Sequence, residues 1–102
     1  MKNPVQITLR GIPRSDALEQ YIGDEARKLE RVCDRILSCH MIAEAPHPPE
    51  RQHFAVRLNL ALPGTEVVVN RDHEVDIYLA VQSAFDAAGR QLRDHMSRLT
   101  GS

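Results

Sequence analysis

The sequence is poor in residues that build several common kinds of functional site. It has no tryptophan, only two cysteines and five glycines among 102 residues. Cys33 and Cys39 form no Cys-x-x-Cys pair, so we expect buried small hydrophobic residues instead of zinc ligands or redox thiols. No uncharged apolar run approaches the roughly 20 residues of a membrane span. The residues after Met1 alternate in character and form no apolar signal core. These absences predict a cytoplasmic protein that does not contact a membrane.

An excess of either charge is also missing. Thirteen basic residues stand against fourteen acidic ones, which excludes a polycation that binds nucleic acid by bulk charge. The content of 42% hydrophobic and 26% charged residues is typical of a globular protein. The length suits one hydrophobic core, so we expect residues 1–102 to form a single domain.

Motifs for catalysis or cofactor binding are absent from the sequence. Ser38 and His40 share a strand face, but no glycine-rich oxyanion loop accompanies them. The glycines match no phosphate-binding fingerprint. The histidines show neither a helical i, i+4 pair nor a cluster with cysteine; they are His40, His47, His53, His73 and His95. We therefore expect no enzyme activity, no cofactor, no metal site and no small-molecule substrate.

Hydrophobic periodicity predicts six elements. Alternating apolar residues predict strands, and stripes at spacings of three and four predict helices, with Ser15 as the N-cap of the first helix. The predicted elements are strand 5–10, helix 15–33, strand 35–45, strand 54–62, strand 65–71 and a last helix that starts within 72–76 and continues to Leu99. Three prolines between residues 45 and 50 indicate a loop, and Pro63-Gly64 indicates a tight turn.

The order β-α-β-β-β-α predicts an α+β fold with two layers. A right-handed crossover makes the first two strands parallel, and the meander then makes both helices run in the same direction on one face of a four-stranded sheet. Thr8, Arg10, Arg57 and Asn59 are expected on the opposite, solvent-facing side. The predicted core consists of Leu18, Ile22, Leu29, Phe54, Val56, Leu58, Leu60, Tyr78, Val81, Phe85 and Leu92.

Charge changes sign along both predicted helices. Residues 15–26 contain four acids and no base, and residues 27–35 contain four bases against two acids. Residues 72–86 again contain four acids and no base, and residues 88–102 contain three bases against one acid. Compensation of the helix dipole alone accounts for such a pattern. An RNA-binding edge is the other interpretation, because parallel helices place their basic ends together and arginine pairs well with phosphate.

Segments along residues 5–98 resemble the bacterial ribosome hibernation-promoting factors, also called the sigma-54 modulation protein family. Their order and spacing match the family, and they include Ser15-Asp16-Ala17-Leu18, Lys28-Leu29-Glu30-Arg31, Leu60-Ala61-Leu62-Pro63-Gly64, Asp76-Ile77-Tyr78 and Arg90-Gln91-Leu92. The resemblance implies a fold similar to double-stranded-RNA-binding domains. It also implies binding to the small ribosomal subunit and its ribosomal RNA, with inhibition of translation in stationary phase or stress.

The resemblance carries specific expectations for individual residues. We expect a single ribosome-binding domain without the C-terminal dimerisation domain of longer members. The sequence departs from the family at Ala87, Asp94 and Met96, where lysine is typical, and at Glu25, where a base is common. A protein-interaction module on the same fold and a domain for free duplex RNA remain the alternatives. The expected RNA-binding residues are Arg27, Lys28, Arg31, Arg35, Arg90, Arg93, His95 and Arg98.

Overall fold

The computed structural model describes residues 4–100, and its elements follow the predicted β-α-β-β-β-α order. The strands are β1 (Gln6–Arg10), β2 (Ser38–Glu44), β3 (Phe54–Leu62) and β4 (Thr65–Glu74), and the helices are α1 (Asp16–Val32) and α2 (Ile77–Thr100).

The four strands form one sheet in the order β1-β2-β3-β4. β1 is parallel to β2, and the remaining pairs are antiparallel. One row of partners, Ile7, Met41, Leu58 and Val69, crosses all four strands on the inward side. The predicted crossover and meander are therefore confirmed.

Both helices begin at a polar side chain that accepts backbone hydrogen bonds. The Ser15 hydroxyl accepts from the Leu18 N–H at 3.1 Å and caps α1, as predicted. At α2, one oxygen of Asp76 accepts from the N–H groups of Tyr78 at 2.8 Å and Leu79 at 3.1 Å. The sequence left this second cap unidentified, and the structure assigns it to Asp76.

The prediction that the last helix starts within residues 72–76 was wrong for residues 72–74. β4 continues to Glu74, which pairs with Phe54 at the beginning of β3, past a register shift between Phe54 and Val56. The acidic residues suggested a helix start, but Glu74 pairs with Phe54 of β3, and Asp72 lies in the same strand at the register shift. β2 also begins later than predicted, at Ser38, because residues 34–35 form the turn after α1.

The helices lie on the same face of the sheet and run parallel. The Tyr21 and Tyr78 rings meet near the two helix starts with centroids 5.3 Å apart. Further along, a β-carbon built on Gly89 would lie 3.8 Å from Leu29 Cδ2. Residue numbers thus increase together along the two helices, which confirms the parallel arrangement.

The core is a single cluster between the helices and the inward side of the sheet. Ile22, Met41, Leu58, Leu60 and Leu92 are among its fully buried side chains. Burial of this kind contributes about 1.5–3 kcal/mol for each large apolar side chain. None of the four residues predicted on the opposite face is buried, so the predicted strand register is confirmed.

Two predicted core residues lie nearer the surface than expected. Tyr78 is 39% exposed, so its prediction as a core residue was wrong. It sits in the first turn of α2, and its ring packs edge-on against Tyr21 instead of entering the cluster. Phe54, at the beginning of β3, is only partly buried against the core.

Candidate nucleic-acid interface

The second half of α1 and the middle of α2 enclose a shallow groove of about 240 Å³. Its floor is formed by apolar residues that join the two helices, including Leu29, Phe85 and Gly89. Three of the predicted RNA-binding residues, Lys28, Arg90 and Arg93, line the groove, and Glu25, Val32 and Asp86 complete it. Two helices therefore contribute cations to one surface.

A second group of cations lies on α1 alone. Arg27, Lys28 and Arg31 line a hollow on the outer side of this helix. Arg27 is paired with Asp24, and Lys28 Nζ lies 2.8 Å from an oxygen of Glu25. The hydrogen bond that Lys28 donates to Glu25 is the main cause of a raised pKa at Lys28. Lys28 lines both surfaces and connects them.

Four of the predicted cations are exposed, and their side chains form no ion pair or hydrogen bond among residues 4–100. These are Arg31 on α1, Arg35 in the following turn, and Arg90 and Arg93 on α2. An unpaired guanidinium offers a planar fork of N–H donors that matches the oxygens of a phosphate. A phosphate can bind these four arginines without first displacing another partner.

The structure does not place all eight predicted residues on one surface. His95 and Arg98 line a separate hollow between the end of α2 and the beginning of β4. Arg98 Nε donates to the Asp94 carbonyl at 3.4 Å. A helix turns by about 100° per residue, which places residues 95 and 98 on a different side from residues 90 and 93.

The acidic half expected for α2 is smaller than the sequence suggested. Asp72 and Glu74 belong to β4, and the first turn of α2 contains no acid. Asp76 precedes this helix as its cap, and Asp86 is the acid that lies within residues 77–86. The charge gradient is therefore retained in α1 and reduced in α2.

Sequence reasoning missed the burial of Glu25. It is 8% exposed and is the charged residue that lies within the packed side of α1. Its position three residues after Ile22 and four before Leu29 follows the apolar stripe, and this spacing was a signal available in the sequence. Glu25 also contributes to a raised pKa at Tyr21, whose largest cause is burial of the phenol.

The described residues give little support for metal binding, thiol chemistry or a membrane span. Within residues 4–100, no three histidine, cysteine, aspartate or glutamate side chains lie together in a group suited to a metal ion. Cys33 and Cys39 are free and buried, and burial raises the pKa of the Cys39 thiol to about 12. Neither described helix is long and apolar enough to cross a bilayer.

Comparison with known proteins gives one protein family that the sequence matches over nearly its whole length. Residues 5–100 match the family described as sigma 54 modulation protein / S30EA ribosomal protein. A ribosome hibernation promoting factor of Azotobacter vinelandii is 32% identical over 96 residues, covering 92% of this chain and 85% of that protein.

Two solved structures are similar to the whole sheet-and-helix arrangement. The N-terminal domain of Protein Y from Thermus thermophilus has a TM-score of 0.77 at 22% identity, covering 91% of this chain and 98% of that one, and it supports the fold. A ribosomal subunit interface protein from Coxiella burnetii has a TM-score of 0.69 at 26% identity, covering 91% and 97% of the two chains.

Proposed function

Because the chain belongs to the sigma 54 modulation protein / S30EA ribosomal protein family, we propose that it binds the small ribosomal subunit and inhibits translation in stationary phase or stress. Its relatives include a protein named ribosome hibernation promoting factor, which supports ribosome binding and hibernation. The proposed action requires binding alone, without catalysis, and takes place in the cytoplasm where ribosomes lie.

The observation that carries the proposal is the groove that brings Lys28 of α1 beside Arg90 and Arg93 of α2. Ribosomal RNA presents closely spaced phosphates, and cations from two helices match several of them at once. Arg31 and Arg35 extend the same charge along α1 and into its following turn. Contacts of this kind position the protein on RNA without reading its sequence.

The remainder of the domain acts as a solid body. One core joins both helices to the sheet, and its central side chains, including Ile22 and Leu58, are completely buried. Close packing makes such an interior resist compression. We infer that a rigid domain held at its basic helix faces excludes messenger or transfer RNA from the decoding region by occupying the space.

Co-sedimentation tests the proposal directly. Purified protein is mixed with small subunits, large subunits or no ribosomes at low salt and centrifuged through a gradient, and translation of a reporter message is measured in parallel. We expect the protein to migrate with the small subunit and to lower reporter synthesis. Migration with neither subunit would refute ribosome binding and favour the interaction-module alternative.

A further inference from the structure

The interhelical groove contains an acid at the place where the proposed RNA ligand needs positive charge. Glu25 lines this groove together with Lys28, Arg90 and Arg93. Its side chain is 10% exposed, whereas that of Lys28 is 66% exposed. The carboxylate is therefore held in place by the packing, while the ammonium extends into solvent where a ligand approaches.

The contact between these two residues occupies the lysine. Glu25 Oε2 and Lys28 Nζ lie 2.8 Å apart, which is the distance of a charge-assisted hydrogen bond. A phosphate that approaches Lys28 must share this ammonium with the carboxylate or displace it. Water screens this largely buried side chain poorly, so its repulsion of the phosphate is stronger than that of an exposed acid at the same distance.

Asp86 gives an internal comparison. It also lines the groove, but its side chain is exposed to solvent. Surface carboxylates act through a high dielectric constant and are screened by salt. Of the two acids, Glu25 is therefore expected to have the larger effect on a bound anion.

We propose that Glu25 is a built-in competitor of RNA phosphate in the groove, which lowers the affinity of the protein for RNA by occupying Lys28. This inference rests on the proposed function, because it concerns the same basic groove. If Glu25 acts in this way, the protein neutralises one phosphate fewer than the number of cations that line the groove.

The matched pair of variants is Glu25→Gln and Glu19→Gln. Glutamine retains the size of the buried side chain. Glu19 of α1 also forms an ion pair, with Arg14 before the helix at 3.0 Å, but its side chain is more exposed than that of Glu25. It lies six residues earlier, about 9 Å along the helix axis, which is close to one Debye length at about 0.1 M salt. Both variants change the net charge equally.

Affinity is measured across a salt series with two probes, the small ribosomal subunit and poly(U) RNA. Each additional phosphate contact steepens the log–log salt dependence by about 0.7–0.9. Glu25→Gln is expected to show this increase and to bind about five- to eightfold more tightly at about 0.1 M salt. Glu19→Gln is expected to match the unsubstituted protein, and Asp86→Asn to fall between the two. Thermal melts establish that each variant is folded.

A double-mutant cycle separates competition for Lys28 from a purely structural role. In a Lys28→Gln background, Glu25→Gln is expected to lose most of its effect on the salt slope, because the ammonium that it would release is absent. An equal effect in both backgrounds would overturn the proposed route through Lys28.

The two probes distinguish failure of this inference from failure of the proposed function. Binding to poly(U) but not to the subunit would refute the ribosomal function. The comparison of Glu25→Gln with Glu19→Gln on poly(U) would then still decide whether Glu25 competes with RNA phosphate. An unchanged slope and affinity for Glu25→Gln on a probe that does bind would overturn the competitor role. Absence of binding to both probes at low salt would refute both proposals.

Discussion

Removing Arg31 and Arg90 together is the most direct perturbation of the proposed interface. Both side chains are exposed and lack a carboxylate partner among the described residues, so their loss breaks no ion pair. Arg31 lies on the outer side of α1, and Arg90 lines the groove. Arg31→Ala combined with Arg90→Ala therefore tests both cationic surfaces while the apolar floor is left intact.

The expected magnitude follows from the number of unpaired cations. Four such arginines, each neutralising one phosphate, give the unsubstituted protein a log–log salt slope of about 3. The double variant retains two of them and should have a slope of about 1.5. Affinity should then fall roughly 60-fold for the unsubstituted protein and roughly eightfold for the variant between about 50 and 200 mM salt.

The assay is co-sedimentation with purified small subunits across that salt range, accompanied by thermal unfolding of each protein. Exposed charges contribute little to folding, so the unfolding midpoint should change only slightly. Arg10→Ala combined with Arg57→Ala is the control, since both residues lie on the opposite face of the sheet. A double variant at Arg31 and Arg90 that retained the original slope would refute contact through these helices. An equal loss in the control would place the contact on the sheet instead.

Three further predictions concern the fold. Leu58 is fully buried, so Leu58→Ala should lower the free energy of unfolding in urea by about 2–5 kcal/mol. Leu79 is 50% exposed, so Leu79→Ala should change the same free energy by less than about 0.5 kcal/mol. Equal effects of the two substitutions would contradict the assigned core. Asp76→Ala should cost about 0.5–2 kcal/mol in the same assay, because two N–H groups of α2 lose their acceptor. Hydrogen bonds from Arg10 and Arg51 lower the pKa of the Glu44 carboxyl. The ionised carboxylate therefore stabilises the fold at pH values above the ordinary pKa of glutamate, and this stabilisation is lost as the pH falls through the lowered pKa. Urea unfolding over an acidic pH series should therefore show a weaker pH dependence for Glu44→Gln, and an unchanged profile would refute this link.

Much of the fold was predictable because each strand and helix carries its own periodic signal. The alternation in β3 and the stripe through Ile22 and Leu29 specify which side faces the core, and parity then determines the helix directions. The errors arose where a local signal competes with a long-range contact. Asp72 and Glu74 favour a helix start by charge, but the long-range pair between Glu74 and Phe54 extends β4 through both of them. Such pairing has no signature within a short window of sequence.

The candidate interface was predictable in part. Summing the charges by position along α2 placed His95 and Arg98 in one group with Arg90 and Arg93. The rotation of successive residues around the helix axis puts the two pairs on different sides of α2. The closeness of Lys28 to Arg90 required knowledge that the helices touch in parallel, which parity supplied. The pairing of Glu25 with Lys28 depended on side-chain positions that spacing alone does not give.

The groove is assembled from two segments that are far apart in the chain. Lys28 and Arg90 are separated by three strands and their turns, and contacts of such large sequence separation require the closure of a long loop, which slows folding. A growing polypeptide that has been synthesised only through β4 contains the cations of α1 but not those of α2. During its own synthesis, the nascent chain thus lacks the complete basic groove until nearly all of the folded domain has been made.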